Sequence, residues 1–337
     1  MKVAIIGSTG QTGSVIVEAL LKSTTTQFDV TALTRPSSLQ KPEVVELKRK
    51  GATIVAANLN GPKAALVQTL TGMDVVISTI YGGSVMDEIP LIDACKGAGV
   101  KRYLPCFFAT VAAPKGSLLL RDMKEDVLNH IKKVHLPYTV VDVGWWYQVN
   151  LPKLPSGRID YAAMETSDGI AGDGNTPIAF TDLRDIGNYV ARIIADPRTL
   201  NRMVFAYNEV HTQNQVYDLL ERLSREKLER KYVPAEAIAT SIAEIEATQP
   251  APDSVEFVTL ARYQYWYSCG IRGDNTPEYA AYLGYVTTHE LYPDFERTTF
   301  ETYAQEVLDG KGRRVYEHLK DFLAASANFK ASQVTTK

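Results

Sequence analysis

No apolar stretch in the sequence approaches the roughly 20 residues that a membrane-spanning helix needs, so no membrane partner is expected. Cysteine is scarce. Cys95, Cys106 and Cys269 are odd in number and far apart, which gives neither a disulfide framework nor a zinc spacing. His130, His135, His211, His289 and His318 form no ligand pattern, so no metal is expected. A formal charge of −3 favours neither nucleic acid nor an anionic surface. Internal repeats and low-complexity runs are missing as well. The first apolar strand begins at Lys2, which leaves no room for a signal peptide, and a reducing cytoplasm is the expected location.

What is present is ordinary in bulk and specific in place. With 45% hydrophobic and 22% charged residues over 337 positions, the chain can bury a full core. Lys2-Val3-Ala4-Ile5-Ile6 is short, apolar and rich in β-branched residues, as a central parallel strand covered on both faces should be. Gly7-Ser8-Thr9-Gly10-Gln11-Thr12-Gly13 follows at once, and helical periodicity then runs from Ser14 to Leu21. A strand, a glycine-rich turn and a helix start together make a phosphate site: glycine lets the backbone come close, and free amides at the positive helix end meet the anion. The spacing is GxxGxxG rather than GxGxxG. Gly7, Thr9, Gly10, Gln11, Thr12 and Gly13 are therefore candidate dinucleotide contacts.

Further strands are expected at 28–33, 51–57, 74–79, 101–105 and 138–143. Helices are expected at 43–50, 62–70 (capped from Asn58 to Asn60), 87–98 and 118–134. This alternation implies an α/β fold, a doubly wound parallel Rossmann sheet, with a smaller mixed, helix-rich C-terminal lobe. The expected division is 1–150 for the dinucleotide domain, 151–327 for the substrate lobe and 328–337 for a frayed tail. Some lobe segments could return to the sheet. Strand two ends in Arg35, with no acidic residue before Glu43. An acid there would hold a ribose hydroxyl, whereas an arginine suits a 2′-phosphate, so NADP(H) is the expected coenzyme. Ser37, Ser38 and Lys41 could assist. The carboxyl ends of such strands bind ligands, which adds Ser78, Thr79 and Tyr81 to the cofactor candidates. Aromatics after strand six, Trp145, Trp146 and Tyr147, could wall a substrate pocket. Tyr263-Gln264-Tyr265-Trp266-Tyr267 could do the same from the lobe, or could be core.

GSTGQTG at 7–13, Arg35, Lys124 within DMKEDV and the run Asp182-Leu183-Arg184-Asp185-Ile186-Gly187 together resemble the NmrA-like / isoflavone reductase-like family of atypical short-chain dehydrogenases. The Lys124 segment and Gly144-Trp145-Trp146 are most similar to its fungal branch. The resemblance covers about residues 1–230. It implies an NADP-binding domain with a substrate lobe, and it places Lys124 where plant relatives keep a general acid/base lysine. A lysine works near neutral pH when burial or a neighbouring positive charge lowers its pKa. Many relatives carry an acidic residue where this chain has Phe107, next to Cys106. That substitution suggests an apolar wall of Phe107 and Phe108 at the cofactor mouth and a small apolar or heteroaromatic substrate. Cys106 itself reads as a small core residue. The only YxxxK spacing, Tyr316 to Lys320, falls outside the helix after strand five and reads as surface helix remote from the nicotinamide.

Two functions follow. One is an NADPH-dependent reductase acting on a C=C, C=N or C=O bond, plausible in fungal secondary metabolism, with a redox-neutral cyclisation or isomerisation as a variant. The other is an NmrA-type regulator that senses dinucleotide and acts by protein contact. Lys124 favours the enzyme, because sensing needs no acid/base group. The sequence leaves substrate identity and oligomeric state open.

Overall fold

The computed structural model describes residues 1–162, 169–252 and 254–317. Its first part alternates strictly: β1 (Lys2–Ile6), α1 (Gln11–Lys22), β2 (Asp29–Thr34), α2 (Pro42–Arg49), β3 (Thr53–Ala56), α3 (Lys63–Leu70), β4 (Val75–Ser78), α4 (Glu88–Ala98), β5 (Arg102–Leu104), α5 (Leu119–Lys133) and β6 (Thr139–Val143). Strands pair in parallel in the order β3-β2-β1-β4-β5. A bridge between Tyr103 and Tyr138 leads on towards β6. The sheet is doubly wound because β1 is apolar at successive positions. Val3 and Ile5 pack with Ile16, Val17 and Leu20 of α1, while Ala4 and Ile6 face the opposite layer with Leu91 and Ile92 of α4.

The rest comprises β7 (Trp145–Trp146), β8 (Ile170–Ala171), β9 (Ile178–Thr181), α6 (Leu183–Ala195), β10 (Arg202–Ala206), β11 (Glu209–His211), α7 (Gln213–Ser224) and β12 (Tyr232–Val233). After these come α8 (Ala235–Glu246), α9 (Val255–Tyr267), α10 (Pro277–Tyr282), β13 (Val286–Thr287), α11 (Thr288–Leu291) and α12 (Phe300–Leu308). The chain recrosses the expected boundary at 150. β10 pairs with β6, and β13 with β10, all in parallel. From α6, Ile186, Tyr189, Val190 and Ile193 share a core with α1. The lobe keeps the small mixed sheet β11-β9-β7, the pair β12-β8 and most of the remaining helices.

Two local expectations change. Asn58 does not cap α3; its Oδ1 accepts from the Asn60 amide in a local turn, and the helix starts after Pro62 with no side-chain cap. Residues 311–316 are irregular backbone, not surface helix, and Lys320 lies outside the described residues. Among the described residues all three cysteines are free and buried, no helix is long and apolar enough to cross a membrane, and no cluster could hold a metal ion.

Candidate active site

The outer half of the site forms where β1 turns into α1. Gly7 has φ +79°, and a Cβ there would stand 2.4 Å from the Thr79 carbonyl oxygen. A Cβ on Gly13 would stand 2.2 Å from the Gly7 carbonyl oxygen. Any side chain at either place would force strand and helix apart. Gly10 is the N-cap of α1, without a side-chain cap and without an acid in the first turn. The helix start is therefore open to an anion. Gly7, Thr9, Gly10, Arg35, Thr79 and Tyr81 line one cleft of about 460 Å³. Gln11 and Thr12 are half-buried in the first turn of α1, and Gly13 is buried.

Arg35 is exposed at the end of β2, and its guanidinium makes no hydrogen bond or ion pair among the described residues. Ser38 and Lys41 share its cleft. A glycine-only cradle, an uncapped helix start and an uncommitted guanidinium fit a phosphorylated dinucleotide. The turn would hold the pyrophosphate, and Arg35 with Lys41 the 2′-phosphate.

The inner half lies behind β5. Lys124 is 5% exposed, and its Nζ donates to the Phe107 carbonyl. Burial holds its pKa below the ordinary lysine value; Arg121 pushes the same way, while Cys106, Asp142 and Glu88 oppose it. Cys106 Sγ donates to the Ile80 carbonyl at 3.0 Å, and Ile80 lines the cleft, so the lysine sits close behind the cleft wall. Burial pushes the Cys106 thiol up to about 12, which suits a packing residue and not a nucleophile. Arg121 ties α5 down: it donates to Asp142 at 2.6 Å and to the Tyr285 hydroxyl at 2.7 Å, while Tyr285 donates to Asp142.

Sequence reasoning missed Glu88. Its fully buried carboxylate accepts from the Tyr103 hydroxyl at 2.6 Å and from the Cys106 amide at 3.1 Å. Burial pushes it up to about 7, although Tyr103, the Cys106 amide and Lys124 all pull it down. The start of α4 thus places a buried carboxyl beside Cys106. A lone acid at a helix start, where acids are common anyway, gave no signal of this.

Several candidates sit elsewhere than expected. The Phe107 ring does not wall the mouth. It is 1% exposed, packs on Leu128 and Val140, and meets Arg121 at 5.0 Å and Lys124 at 5.8 Å. Ser78 is fully buried beside Glu88 and Tyr103, one residue below the cleft that Thr79 lines. Tyr147 is core of the lobe, edge-on to Phe300, with its hydroxyl on Glu209 at 2.9 Å. Trp266 packs with Leu260 and Tyr263 inside the lobe, and Trp145 lies half-buried between two lobe clusters. Each of these aromatics has neighbours from several strands and helices, which local sequence does not reveal.

Phe108 and Trp146 do share one cluster at the sheet end, and Tyr316 packs against it. The Tyr316 ring stacks on Trp146 at 5.9 Å and 8°. Tyr265 is half-buried, and its phenol is raised by burial first and by Cys269, Asp142 and Tyr316 in addition.

The NmrA-like family matches residues 1–304. An asnovolin J 5′,6′-dehydrogenase from Aspergillus novofumigatus is 48% identical, over 92% of this chain and 96% of its own. A phenylcoumaran benzylic ether reductase from Betula pendula is 32% identical, over 90% and 98%. The fold is shared with the solved complex of AtPrR2 with NADP⁺ and (+)-pinoresinol, at TM-score 0.75 and 26% identity over 91% and 98% of the two chains. It is shared too with the leucoanthocyanidin reductase–NADPH complex from Vitis vinifera, at TM-score 0.76 and 24% identity over 92% and 100%. An open phosphate cradle, a free arginine at the end of β2 and these likenesses agree: the chain belongs to the NmrA-like family and is an NADP-dependent oxidoreductase of the isoflavone reductase-like kind.

Proposed function

We propose that this oxidoreductase exchanges hydride between NADP(H) and a small apolar molecule, with Lys124 as the acid/base group. The observation that carries the reading is the burial of Lys124 next to Cys106, immediately behind the coenzyme cleft. Bound coenzyme would supply or accept the hydride. What the chain contributes is orientation, exclusion of water and proton handling. Arg35 and the 7–13 turn would fix the phosphates. Burial lowers the pKa of Lys124, which makes its Nζ a better proton donor than a solvated lysine and leaves it able to hydrogen-bond a carbonyl. Glu88, near 7, is a neighbouring carboxyl that could share that proton.

The 48% identical relative is named for dehydrogenation at a 5′,6′ bond. That name favours exchange across a carbon–carbon bond: two hydrogens leave adjacent carbons, one as hydride to NADP⁺ and one as a proton, or the reverse. A small apolar molecule of fungal secondary metabolism is the expected substrate class.

The test is coenzyme turnover at 340 nm, with asnovolin J and NADP⁺ as the first probe pair and crude metabolite extract with NADPH as the second. Turnover that disappears in Lys124→Ala supports the reading. Tight NADP(H) binding with no turnover in either assay would favour a dinucleotide-sensing regulator instead.

A further inference from the structure

Helix α5 carries both Arg121 and Lys124, yet its start has no cap of its own. Leu118, the residue before it, offers no side-chain hydrogen bond to the first turn. The first amides of a helix have no intrahelical partner and need one from elsewhere. Here it comes from the lobe. Gln264 of α9, only 4% exposed, accepts from the Leu119 amide through Oε1 at 2.9 Å. Its Nε2 donates to Glu246, the last residue of α8, at 2.8 Å.

These two partners fix the residue type. A backbone amide only donates and a carboxylate only accepts, so the side chain between them must do one of each. A glutamine meets both; an acid or a thioether of the same length does not. Apolar packing backs the bond, since Leu119 packs against the lobe cluster of Leu260, Tyr263 and Trp266. The loop between α8 and α9 meets the coenzyme half at a second place. A Cβ on Gly83 would stand 2.8 Å from the Pro252 carbonyl oxygen, and Tyr81 and Ser84, close by in sequence, line the coenzyme cleft.

The second half of α5 is held by the buried Val127, Leu128 and Ile131. Its first half, which carries Lys124, has two polar ties: Arg121 to Asp142 and Tyr285, and the Leu119 amide to Gln264. Lys124 follows Leu119 by about one and a half turns.

We propose that Gln264 is a positioning residue for hydride exchange: it caps α5 from the lobe and so sets where Lys124 stands relative to the substrate. The inference rests on the acid/base role given to Lys124. It adds that the substrate lobe, and not only the coenzyme domain, holds that group in place. A displacement of about 1 Å at a reacting group lowers its rate steeply, which is how a remote cap acts on turnover.

The test uses the full chain and the two probe pairs of the turnover assay. Hydrogen–deuterium exchange at residues 119–122 reads the cap, and maximal rate against coenzyme KM reads its consequence. Gln264→Met keeps the length of the side chain but makes neither bond. It should speed exchange of the Leu119 amide about tenfold and lower the maximal rate about tenfold, with coenzyme KM and NADPH Kd close to wild type. Combining Gln264→Glu with Glu246→Gln reverses donor and acceptor between α8 and α9 and keeps the acceptor for Leu119, so it should restore both. Faster exchange with an unchanged rate would overturn the proposal. So would unchanged exchange in Gln264→Met, or a swapped pair that behaves like it. If Gln264→Met fails to fold, Glu246→Ala, which frees the other end of the glutamine, is read by the same two measurements. Turnover that survives Lys124→Ala, or no turnover of either pair by wild type, would instead refute the role of Lys124 itself.

Discussion

The two halves of the site are built on opposite principles. Around Gly7–Gly13 the cleft is open, the helix start that faces it has no side-chain cap, and its cation, Arg35, is exposed and uncommitted. Behind β5 the space is closed, its wall is side chain, and its cation, Lys124, is buried among Cys106, Asp142, Arg121 and Glu88. An open half suits recognition of a charged molecule that must enter and leave. A closed half suits proton transfer, because a buried ammonium has a lowered pKa while a solvated one does not. Substitutions should therefore separate binding from turnover.

The sharpest break should come from Gly7→Val. Its Cβ would overlap the Thr79 carbonyl, so NADPH affinity should fall by about 100-fold or more, with a lower Tm; calorimetry of binding and unfolding checks both. Next is Lys124→Ala. Turnover should fall by about 10³-fold while NADPH Kd stays near wild type, as steady-state rates and titration would show. If both constants moved together, the proposed division between halves would be wrong. Arg35→Ala should weaken NADP(H) by roughly 10- to 100-fold and leave NAD(H) unchanged, which paired titrations of the two coenzymes would show.

The smallest effect concerns Glu88 and is read in stability. Its carboxyl rises from 4.5 to about 7 on folding. The native state then binds the extra proton between those values, so stability should be full below about pH 4.5, decline as pH rises to 7, and level off above it. A rise of that size corresponds to roughly 3 kcal/mol. Glu88→Gln should flatten this decline in a series of Tm measurements from pH 4.5 to 8. A decline of unchanged slope would place the titrating group elsewhere.

The same contrast explains what the sequence could tell. The outer half is contiguous: β1, the turn and α1 occupy residues 2–22, and Arg35 follows the next strand, so periodicity and glycine spacing were enough to place these elements. In the inner half, residues from distant segments meet. Lys124 could be placed on a helix, but its burial depends on Glu88 from α4, Asp142 from β6 and Tyr285 just before β13. Phe107 misled because loop position says nothing about which side of the backbone a ring takes; here it turns inward under α5. Tyr147 turned inward in the same way, since an aromatic near a strand end serves a core as readily as a pocket, and Trp266 took the core alternative that its cluster had left open. Tyr316 was set aside for its place in the chain, yet the fold returns it to Trp146. The division at residue 150 blurred because β10 and β13 extend the first sheet from late in the chain.

One measurement bears most directly on the proposed union of these halves: a crystal structure with NADP⁺ bound, and the distance it gives between Lys124 Nζ and the nicotinamide ring. Phosphates on the 7–13 turn and Nζ within about 6 Å of the ring, reach for direct or single-water proton transfer, is the expected result. A coenzyme seated elsewhere, or a lysine still tied to the Phe107 carbonyl and beyond that reach, would contradict it.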